Sequence, residues 1–328
     1  MSSVNVTVAI PIHNGARFLG ETIRSLLDQS ERGFRLVCLD DASTDDSLAI
    51  ASDFSDPRVE IIAADSHTSL ADNWNRALDV AQTPYLVIAH QDDVYDRGYL
   101  TAMLRLIEAH PNAFAAHCKT TAIDESGRAV HLPAARYKET FWPAADPYER
   151  TPDAERDVLG RGNYVVASSV VLRMEAVAQI GRFDPALQFV TDWQYWLRGL
   201  NAGFTLAGTH TRLVGFRRHP WTATRMTERT FRRYEEEIDV LRRVHANSFR
   251  LVENTLTSDF SARLAAGDRD GARSLLEFGT RRIPGFSGGL RLRVLRAALH
   301  GGTVAGRLLK AAEDALVELS VVRHRLTS

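Results

Sequence analysis

Short apolar runs alternate with stretches of helical periodicity along the first two thirds of the chain. Runs of strand length are Val4–Ile12, Phe34–Leu39, Val59–Ala63, Tyr85–Ala89, Ala113–Ile123 and Val165–Leu172. Apolar residues recur every three or four positions, as in a helix, over Ala16–Gln29, Ser69–Ala81 and Arg97–Ala109. Strands that alternate with helices predict βαβ units, and therefore an α/β fold with a mainly parallel sheet flanked by helices.

The pattern changes twice further along the chain. Residues 132–162 are rich in Pro, Gly and charge and show little periodicity, which predicts a long functional loop or lid. A short helix near Thr191 to Gly199 and a pair of strands within Phe204–Phe216 follow. From about Thr227 the pattern is helical and Arg-rich. We therefore predict a sheet domain over residues 1–228 and a helical C-terminal region over residues 229–328.

Two predicted strands end in pairs of aspartates. Asp40 and Asp41 follow the second strand, and Asp92 and Asp93 follow the strand that begins at Tyr85. Carboxyl ends of parallel strands meet at one edge of the sheet, where open α/β sheets bind ligands. Adjacent carboxylates favour a hard divalent cation between or beside them. The alternative is that these acids only form turns and cap the following helices.

Six motifs, in order, resemble those of the inverting family 2 glycosyltransferases with a GT-A fold. They are Pro11-Ile12-His13-Asn14, Asp40-Asp41-Ala42-Ser43-Thr44-Asp45, Asn73-Trp74-Asn75, His90-Gln91-Asp92-Asp93, Thr191-Asp192-Trp193 and Arg217-Arg218-His219-Pro220. The resemblance covers roughly residues 4–222 and implies a Rossmann-like GT-A sheet. It also implies metal-dependent transfer of a sugar, with inversion, from a nucleotide-diphosphate sugar to an acceptor hydroxyl.

The resemblance implies a role for each matched residue. Asp192 would be the catalytic base. The donor nucleotide would contact Pro11, His13, Asn14, Asp41, Asn75 and Asp92. Mg²⁺ or Mn²⁺ would be held by Asp93, Asp92 and His219. The chain departs from the family pattern at His13, where Tyr is common, at His90, where Asp is frequent, and at Thr191.

The reaction explains why these residue types are needed. A diphosphate leaves readily only when its developing charge is neutralised, which a carboxylate-bound cation achieves. An acceptor hydroxyl must lose its proton as it attacks, and a positioned carboxylate such as Asp192 can take that proton. The alternative for Asp192 is a capping role at the helix that begins at Trp193. Trp193, Tyr195 and Trp196 are expected to be partly core, with one ring beside the acceptor.

Composition excludes several other classes of protein. The formal net charge of −1 over 328 residues gives no whole-chain case for binding nucleic acid. The two cysteines, Cys38 and Cys118, lie in apolar runs and are expected to be buried free thiols. No signal peptide and no apolar run of membrane length are apparent. We therefore expect a cytoplasmic protein, with peripheral contact at the inner membrane face left open.

The C-terminal region has its own charge pattern. Arg281 to Ala312 contains seven Lys or Arg residues and neither Asp nor Glu. Such helices either pack their apolar stripe on the catalytic domain or lie on anionic lipid. The expected partners are a UDP- or dTDP-sugar and a carbohydrate or lipid-linked acceptor, in surface polysaccharide or glycolipid assembly. A homo-oligomer is left open.

Three other functions share parts of this pattern. Ala89-His90-Gln91-Asp92-Asp93 resembles the Ala-His-Pro-Asp-Asp motif of zinc-dependent sugar N-deacetylases, but no two of the eleven histidines are three positions apart, as those enzymes require. A non-catalytic nucleotide-sugar binding module would keep Asp41 and Asp92 but would need no base at Asp192. A nucleotidyltransferase would need a Gly- and Lys/Arg-rich phosphate loop, of which Asn14 to Arg17 is a thin version.

Overall fold

The computed structural model describes residues 4–131, 138–219, 231–243, 250–283, 286, 294–300 and 303–312. The chain divides into two compact units. The first comprises Met1–Val130, Pro143–Arg156 and Val165–Thr222, and the second comprises His131–Trp142, Asp157–Tyr164 and Ala223–Ser328. The predicted boundary near residue 228 lies outside the described residues and stays a prediction.

Within the described residues, the first unit contains one sheet of nine strands. The strands are β1 (Val6–Ile12), β2 (Phe34–Asp40), β3 (Val59–Ala63), β4 (Tyr85–Ile88), β5 (Val94–Tyr95), β6 (Ala113–Ile123), β7 (Tyr148–Glu149), β8 (Val170–Arg173) and β9 (Thr205–Arg217). Their order in the sheet is β3-β2-β1-β4-β8-β6-β9-β5, and β7 pairs with β9. The predicted α/β architecture is therefore confirmed.

The sheet is mixed, whereas the apolar pattern predicted a mainly parallel one. β1 runs parallel to β2 and β4, β2 to β3, and β6 to β9. β8 runs antiparallel to both of its neighbours, β4 and β6, and the pairings of β5 and β7 with β9 are antiparallel as well. A buried strand shows similar apolar runs whatever its direction, because direction depends on the connection that the chain takes.

The helices follow the predicted alternation. They are α1 (Ala16–Leu27), α2 (Ser47–Ser52), α3 (Leu70–Val80), α4 (Tyr99–Ala109), α5 (Pro152–Leu159), α6 (Met174–Ile180), α7 (Thr191–Asn201), α8 (Arg232–Arg243), α9 (Arg250–Ala265) and α10 (Arg269–Arg282). Residues 294–300 and 303–312 are also helical. α1 buries Leu19, Ile23 and Leu26 in a core that also contains Ile10 of β1 and Cys38 of β2. This packing fixes the frame from which the strand-end loops project.

Two predictions of local structure were wrong. The described part of the predicted 132–162 loop contains β7 and α5. β7 has only two residues, too few for a periodic signal. Its Tyr148 packs against Gly208, where a Cβ would lie 2.4 Å from the Tyr148 ring. The predicted strand pair at Phe204–Phe216 is one continuous strand, β9, whose register with β6 shifts between Cys118 and Thr120. The register shift interrupts the apolar pattern of the strand, and the sequence was therefore interpreted as two strands.

Most of the described residues from 231 onward are helical, as predicted for the C-terminal region. Its buried apolar side chains include Ile238, Leu241, Leu256, Phe260 and Leu275. Among the described helices, none is long and apolar enough to cross a membrane. In the first unit, Cys38 and Cys118 are buried free thiols, as predicted.

Candidate active site

The carboxyl ends of β1, β2 and β4 lie at one edge of the sheet, because these three strands are parallel neighbours. Pro11 occupies a position on β1 that suits a residue with no N–H. The Ala9 carbonyl accepts a bond from the Ala89 N–H, on the β4 side of β1. The backbone nitrogen of Pro11, two residues further on, faces the same side, but β4 has no paired residue at that position. The missing donor therefore leaves no ladder bond unmade.

His13 ties the loop after β1 to the loops after β2 and β4. Its backbone N–H donates to Gln91 Oε1 at 2.9 Å, and its carbonyl accepts from Gln91 Nε2 at 3.1 Å. Its ring Nδ1 lies 2.9 Å from the carbonyl oxygen of Asp41. Gly15 permits this approach, since a Cβ there would lie 2.3 Å from Gln91 Oε1. Three strand-end loops are therefore joined around one histidine.

Asn14 fixes the same loop to the acidic turn after β2. Its φ of +50° is in the left-handed region, which Asn tolerates better than most residues. Its Oδ1 accepts bonds from the N–H of Thr44 at 2.8 Å and from the Thr44 hydroxyl at 3.2 Å. Asp45 accepts bonds from the Ala16 N–H and from Ser47. The predicted donor contacts of Pro11, His13 and Asn14 stay predictions, on residues that the structure brings to the ligand edge.

The Asp41 carboxylate is almost fully buried, with 1% of the residue exposed. It accepts bonds from the Thr68 N–H at 3.2 and 3.1 Å and from the Thr68 hydroxyl at 2.9 Å. His67 Nδ1 lies 2.8 Å from Asp41 Oδ2, and Arg76 Nη1 lies 3.7 Å from Oδ1. Asp41 is therefore held in one orientation by the loop that precedes α3.

The three predicted metal ligands meet at the end of β4. Asp92 Oδ2 lies 2.8 Å from His219 Nε2, which comes from the segment after β9. Asp93 is fully buried, and its Oδ1 accepts the backbone N–H of Arg217 at 2.8 Å. The first helix after these acids, α4, has Gly98 at its N-cap, so the pair does not cap it.

Burial makes ionisation of the Asp93 carboxyl group unfavourable. Burial and the neighbouring charge of Asp92 raise its pKa, against smaller lowering effects of Ser168 and Arg217. Its Oδ2 has no hydrogen-bond partner among the described residues, and His90 Nδ1 lies 3.9 Å away. Burial lowers the pKa of His90. A buried carboxylate oxygen without a partner, beside a second carboxylate, needs a positive group.

These residues fit a divalent cation. His90, Asp92 and Asp93 each offer one ligand atom, and the three atoms lie within 4.8 Å of one another. Carboxylate oxygens are the ligands that Mg²⁺ and Mn²⁺ prefer. His219 contacts the same cluster through Asp92. The donor set and the partnerless Asp93 oxygen therefore agree with the predicted metal.

Arg217 is the residue whose importance the sequence understated. Its side chain is fully buried, yet its guanidinium donates to the carbonyls of Asp92 at 2.8 Å, Asp124 at 3.0 Å and Glu125 at 3.2 Å. Nη2 also donates to Glu21 Oε2 at 2.6 Å. The matched motif contained Arg217, but only the fold shows that it connects β9, α1 and the Asp92–Asp93 loop.

Asn75 has its amide engaged within the protein. Its Oδ1 accepts the N–H of Phe183 at 2.9 Å, and its Nδ2 donates to the Phe183 carbonyl at 3.0 Å. Both bonds are buried and join α3 to the turn before α7. The predicted contact between Asn75 and the donor stays a prediction, and the structure adds a positioning role.

Asp192 lies in the first turn of α7, two residues after the N-cap, Val190. Its Oδ1 accepts the N–H of Trp193 at 2.7 Å, so it satisfies a backbone donor at the start of the helix, and the capping alternative stays open beside the predicted role as base. Aromatic contacts connect this helix to the acidic cluster: His90 with Trp74 at 5.7 Å, Trp74 with Phe183 at 5.3 Å, and Phe183 with Tyr195 at 4.2 Å between ring centroids. Trp193, Tyr195 and Trp196 are all buried, which agrees with their expected core role.

Solved structures define the class of fold. The Staphylococcus aureus protein TarS (residues 1–349), in complex with UDP-GlcNAc, superposes with a TM-score of 0.62 at 17% identity, over 97% of this chain and 92% of that chain. The mannosyltransferase PcManGT from Pyrobaculum calidifontis, in complex with GDP-Man and Mn²⁺, gives a TM-score of 0.54 at 16% identity, over 97% and 88%. The fold is GT-A, as predicted.

A family match covers part of the sequence. Residues 7–163 match the model of glycosyl transferase family 2. The putative teichuronic acid biosynthesis glycosyltransferase TuaG of Bacillus subtilis is 23% identical, over 70% of this chain and 88% of that protein. The uncharacterized protein y4gI of Sinorhizobium fredii is 26% identical over 59% of this chain. The matched part is only 20% of the length of y4gI. The predicted enzyme class, a glycosyltransferase, is confirmed.

Proposed function

We propose that this chain is a metal-dependent inverting glycosyltransferase that moves a sugar from a nucleotide-diphosphate sugar to an acceptor hydroxyl. The observation that carries the proposal is the acidic pair at the end of β4, where Asp92 contacts His219 and Asp93 accepts the Arg217 N–H, on the same edge of the sheet as the Asp41 carboxylate at the end of β2. The first unit is the proposed catalytic domain, with residues 229–328 as a helical appendage.

The nucleotide base is proposed to bind at His13 and Asp41. An ionised carboxylate only accepts hydrogen bonds, so Asp41 selects a base that presents a ring N–H. Uracil and thymine present such a group at their imide nitrogen, and guanine presents one at N1, so the carboxylate argues against adenine and cytosine. TarS was solved with UDP and with UDP-GlcNAc, which supports UDP or dTDP among the remaining nucleotides. Further donor contacts are proposed at Asn14, Pro11 and Asn75.

The diphosphate is proposed to lie over the acidic cluster. Asp92 and Asp93, with His219, would hold Mg²⁺ or Mn²⁺, and the bound cation would neutralise the charge that develops on the leaving diphosphate. Arg217 holds the backbone of Asp92 in place for this purpose. The Mn²⁺ in the PcManGT complex supports the choice of metal.

Asp192 is proposed to act as the base on the acceptor side. Its carboxylate takes the proton of the acceptor hydroxyl while that oxygen forms a bond to the anomeric carbon. The bond from the anomeric carbon to the diphosphate oxygen breaks, and the electron pair leaves with the nucleoside diphosphate. A single attack from the opposite face inverts the anomeric centre. General-base catalysis of this kind contributes roughly 10²–10⁴ in rate.

The biological setting is proposed from the relatives. TuaG is described as a putative teichuronic acid biosynthesis glycosyltransferase, and AmsB of Erwinia amylovora as an amylovoran biosynthesis glycosyltransferase. We propose an acceptor that is a carbohydrate or lipid-linked chain in surface polysaccharide or glycolipid assembly. A cytoplasmic location, peripheral membrane contact and a homo-oligomer stay predictions.

The zinc N-deacetylase alternative is not supported by the family match. A non-catalytic nucleotide-sugar module would bind donor without using Asp192. The Asp192 variant described below separates that alternative from the proposed enzyme.

A thermal-shift panel tests the donor and the metal together. A ligand that binds only the native state raises apparent stability by RT ln(1 + [L]/Kd), so the correct nucleotide stands out among UDP, dTDP, GDP, CDP and ADP. We expect UDP or dTDP to raise Tm in the presence of Mn²⁺ and to do so less without it. A panel in which no nucleotide changes Tm would contradict the proposal.

A further inference from the structure

A histidine outside every matched motif contacts both residues proposed to hold the base. His67 lies on the loop between β3 and α3. Its Nδ1 lies 2.8 Å from Asp41 Oδ2, and its ring stacks on His13 with the centroids 3.8 Å apart and the planes 25° apart. The His67 side chain is 57% exposed, whereas the Asp41 side chain is 2% exposed. The ring of an exposed loop residue, His67, therefore contacts the buried carboxylate of Asp41.

These two contacts reproduce what a nucleobase would need. A base is a planar ring that offers one face for stacking and one ring N–H for the Asp41 carboxylate. The His67 imidazole is a planar ring stacked on His13, with a ring nitrogen at hydrogen-bond distance from Asp41. The imidazole and the base cannot use the same face of His13 and the same oxygen of Asp41 at once.

A metal site is a poorer account of the same three residues. His13, Asp41 and His67 do bring three ligand-type atoms within 4.8 Å of one another. However, imidazole lone pairs lie in the plane of the ring, and two rings stacked at 25° direct them along nearly parallel planes. Histidines that share one ion direct these lone pairs to a common point.

We propose that His67 occupies the base subsite while the donor is absent, and that the incoming base displaces its ring. This inference rests on the proposed function, because it takes His13 and Asp41 as the base-binding pair. Displacement needs only rotation of one exposed side chain. Thr68 keeps Asp41 oriented throughout, because its N–H and hydroxyl bonds to the carboxylate do not involve the His67 ring. His67 thereby sets how tightly the nucleotide binds.

The affinity of UDP for three forms of the full chain tests this proposal. A subsite that is open in only a fraction of molecules weakens the apparent affinity by that fraction. We expect calorimetry in Mn²⁺ to show that His67→Ala binds UDP about tenfold more tightly than the unmodified protein, as for an open state populated at about a tenth. His131→Ala, which alters an exposed histidine, is the matched control and should bind as the unmodified protein does.

A second readout follows the ring itself. In protein labelled at histidine, the His67 imidazole signal is the one that disappears in His67→Ala. On saturation with UDP it should move from its ring-stacked position toward that of a solvent-exposed histidine.

Two failures are distinguishable. If the unmodified protein binds UDP while His67→Ala binds it equally or more weakly, or the His67 signal stays in place, the displacement proposal is overturned and the proposed function stands. If neither protein binds any nucleotide of the panel, the proposed function fails and this inference falls with it. Binding by His67→Ala alone would be the most direct support.

Discussion

At the scale of single residues, the site is built from carboxylates in very different surroundings. Asp41 accepts several hydrogen bonds and is nearly buried, and no described group donates a hydrogen bond to the second oxygen of Asp93. Asp92 is 19% exposed and pairs with His219. Asp192 lies on a different element and is half-buried. These surroundings suit three tasks, which are base recognition, metal binding and proton transfer.

Asp93→Asn should separate metal binding from folding. The amide keeps the shape of the side chain and can still accept the Arg217 N–H, but it removes the charge that a cation needs. We expect the Mn²⁺-dependent thermal shift with UDP to disappear and transfer to be lost, while Tm without ligand is not lowered, since a costly buried charge has been removed.

Asp53→Asn, at an exposed acid after α2, is the matched control for this test. If Asp93→Asn retains the metal-dependent shift, the acidic pair is only a turn.

Asp192→Asn should separate chemistry from binding. The variant keeps the side-chain shape and the bond from the Trp193 N–H but cannot take a proton. Donor affinity should be nearly unchanged, while the transfer rate falls by two or more powers of ten, roughly the scale of lost general-base catalysis.

Glu108→Gln, which alters an exposed acid of α4, is the control and should transfer normally. Normal transfer by Asp192→Asn would direct the search for a base to Asp184 or Glu175 and would reopen the non-catalytic alternative.

At the scale of elements, β9 determines the position of the acidic loop. Its last residue, Arg217, bonds through its backbone to Asp93 and through its side chain to the Asp92 carbonyl. The guanidinium also lies 4.6 Å from the ring centroid of Phe18 on α1. The buried guanidinium of Arg217 therefore joins the end of β9, α1 and the loop after β4. It affects the chemistry by positioning Asp92 and Asp93.

Arg217→Lys should weaken this junction although it keeps the charge. An ammonium on a flexible stem cannot reproduce the planar fork of donors, so buried carbonyls lose their partners. We expect the free energy of unfolding to fall by roughly 1–3 kcal/mol, the cost of a buried unsatisfied group. We also expect transfer to become more dependent on Mn²⁺ concentration, which a purely structural loss would not produce.

Arg218→Lys, at the next residue, is the control; Arg218 lies 5.6 Å from the ring of Phe216. Unchanged stability and metal dependence in Arg217→Lys would show that the buried network does not position the metal loop.

At the scale of the whole molecule, a buried histidine makes the sheet sensitive to acid. His117 of β6 is fully buried, with Nε2 3.1 Å from the Tyr148 hydroxyl oxygen of β7. Burial, with a smaller effect of the Arg150 charge, lowers its pKa from 6.5 to about 3. Between about pH 3 and pH 6.5, His117 therefore binds a proton in the unfolded chain but not in the folded protein. The contribution to stability is complete above pH 6.5 and is lost as pH falls toward about 3.

His117→Gln should flatten this dependence. Gln can still bond to the Tyr148 hydroxyl but does not titrate. Measured between about pH 7 and pH 4, the Tm of the unmodified protein should fall more steeply than that of His117→Gln, even if the variant is less stable at pH 7. His131→Gln, at an exposed histidine, should keep the original slope. Equal slopes for His117→Gln and the unmodified protein would contradict the assignment.

The sequence by itself determined the strand–helix alternation and the place of each acidic pair. Apolar runs of strand length end at Asp40 and at Ile88, and parallel neighbours bring their carboxyl ends to one edge. These features are local: each depends on residues within a few positions along the chain. The predicted helices at α1, α3 and α4 began and ended within two residues of their observed bounds for the same reason.

Only the tertiary structure decided the partners of these groups. Arg217 meets Asp93 across 124 positions and Glu21 across 196, and Asn75 meets Phe183 across 108. The direction of β8 and the stacking of His67 on His13 likewise depend on how distant segments pack. A local pattern encodes which face of an element is buried, but not which distant element covers it. Residue types therefore predicted the chemistry of the site, whereas packing determined its geometry.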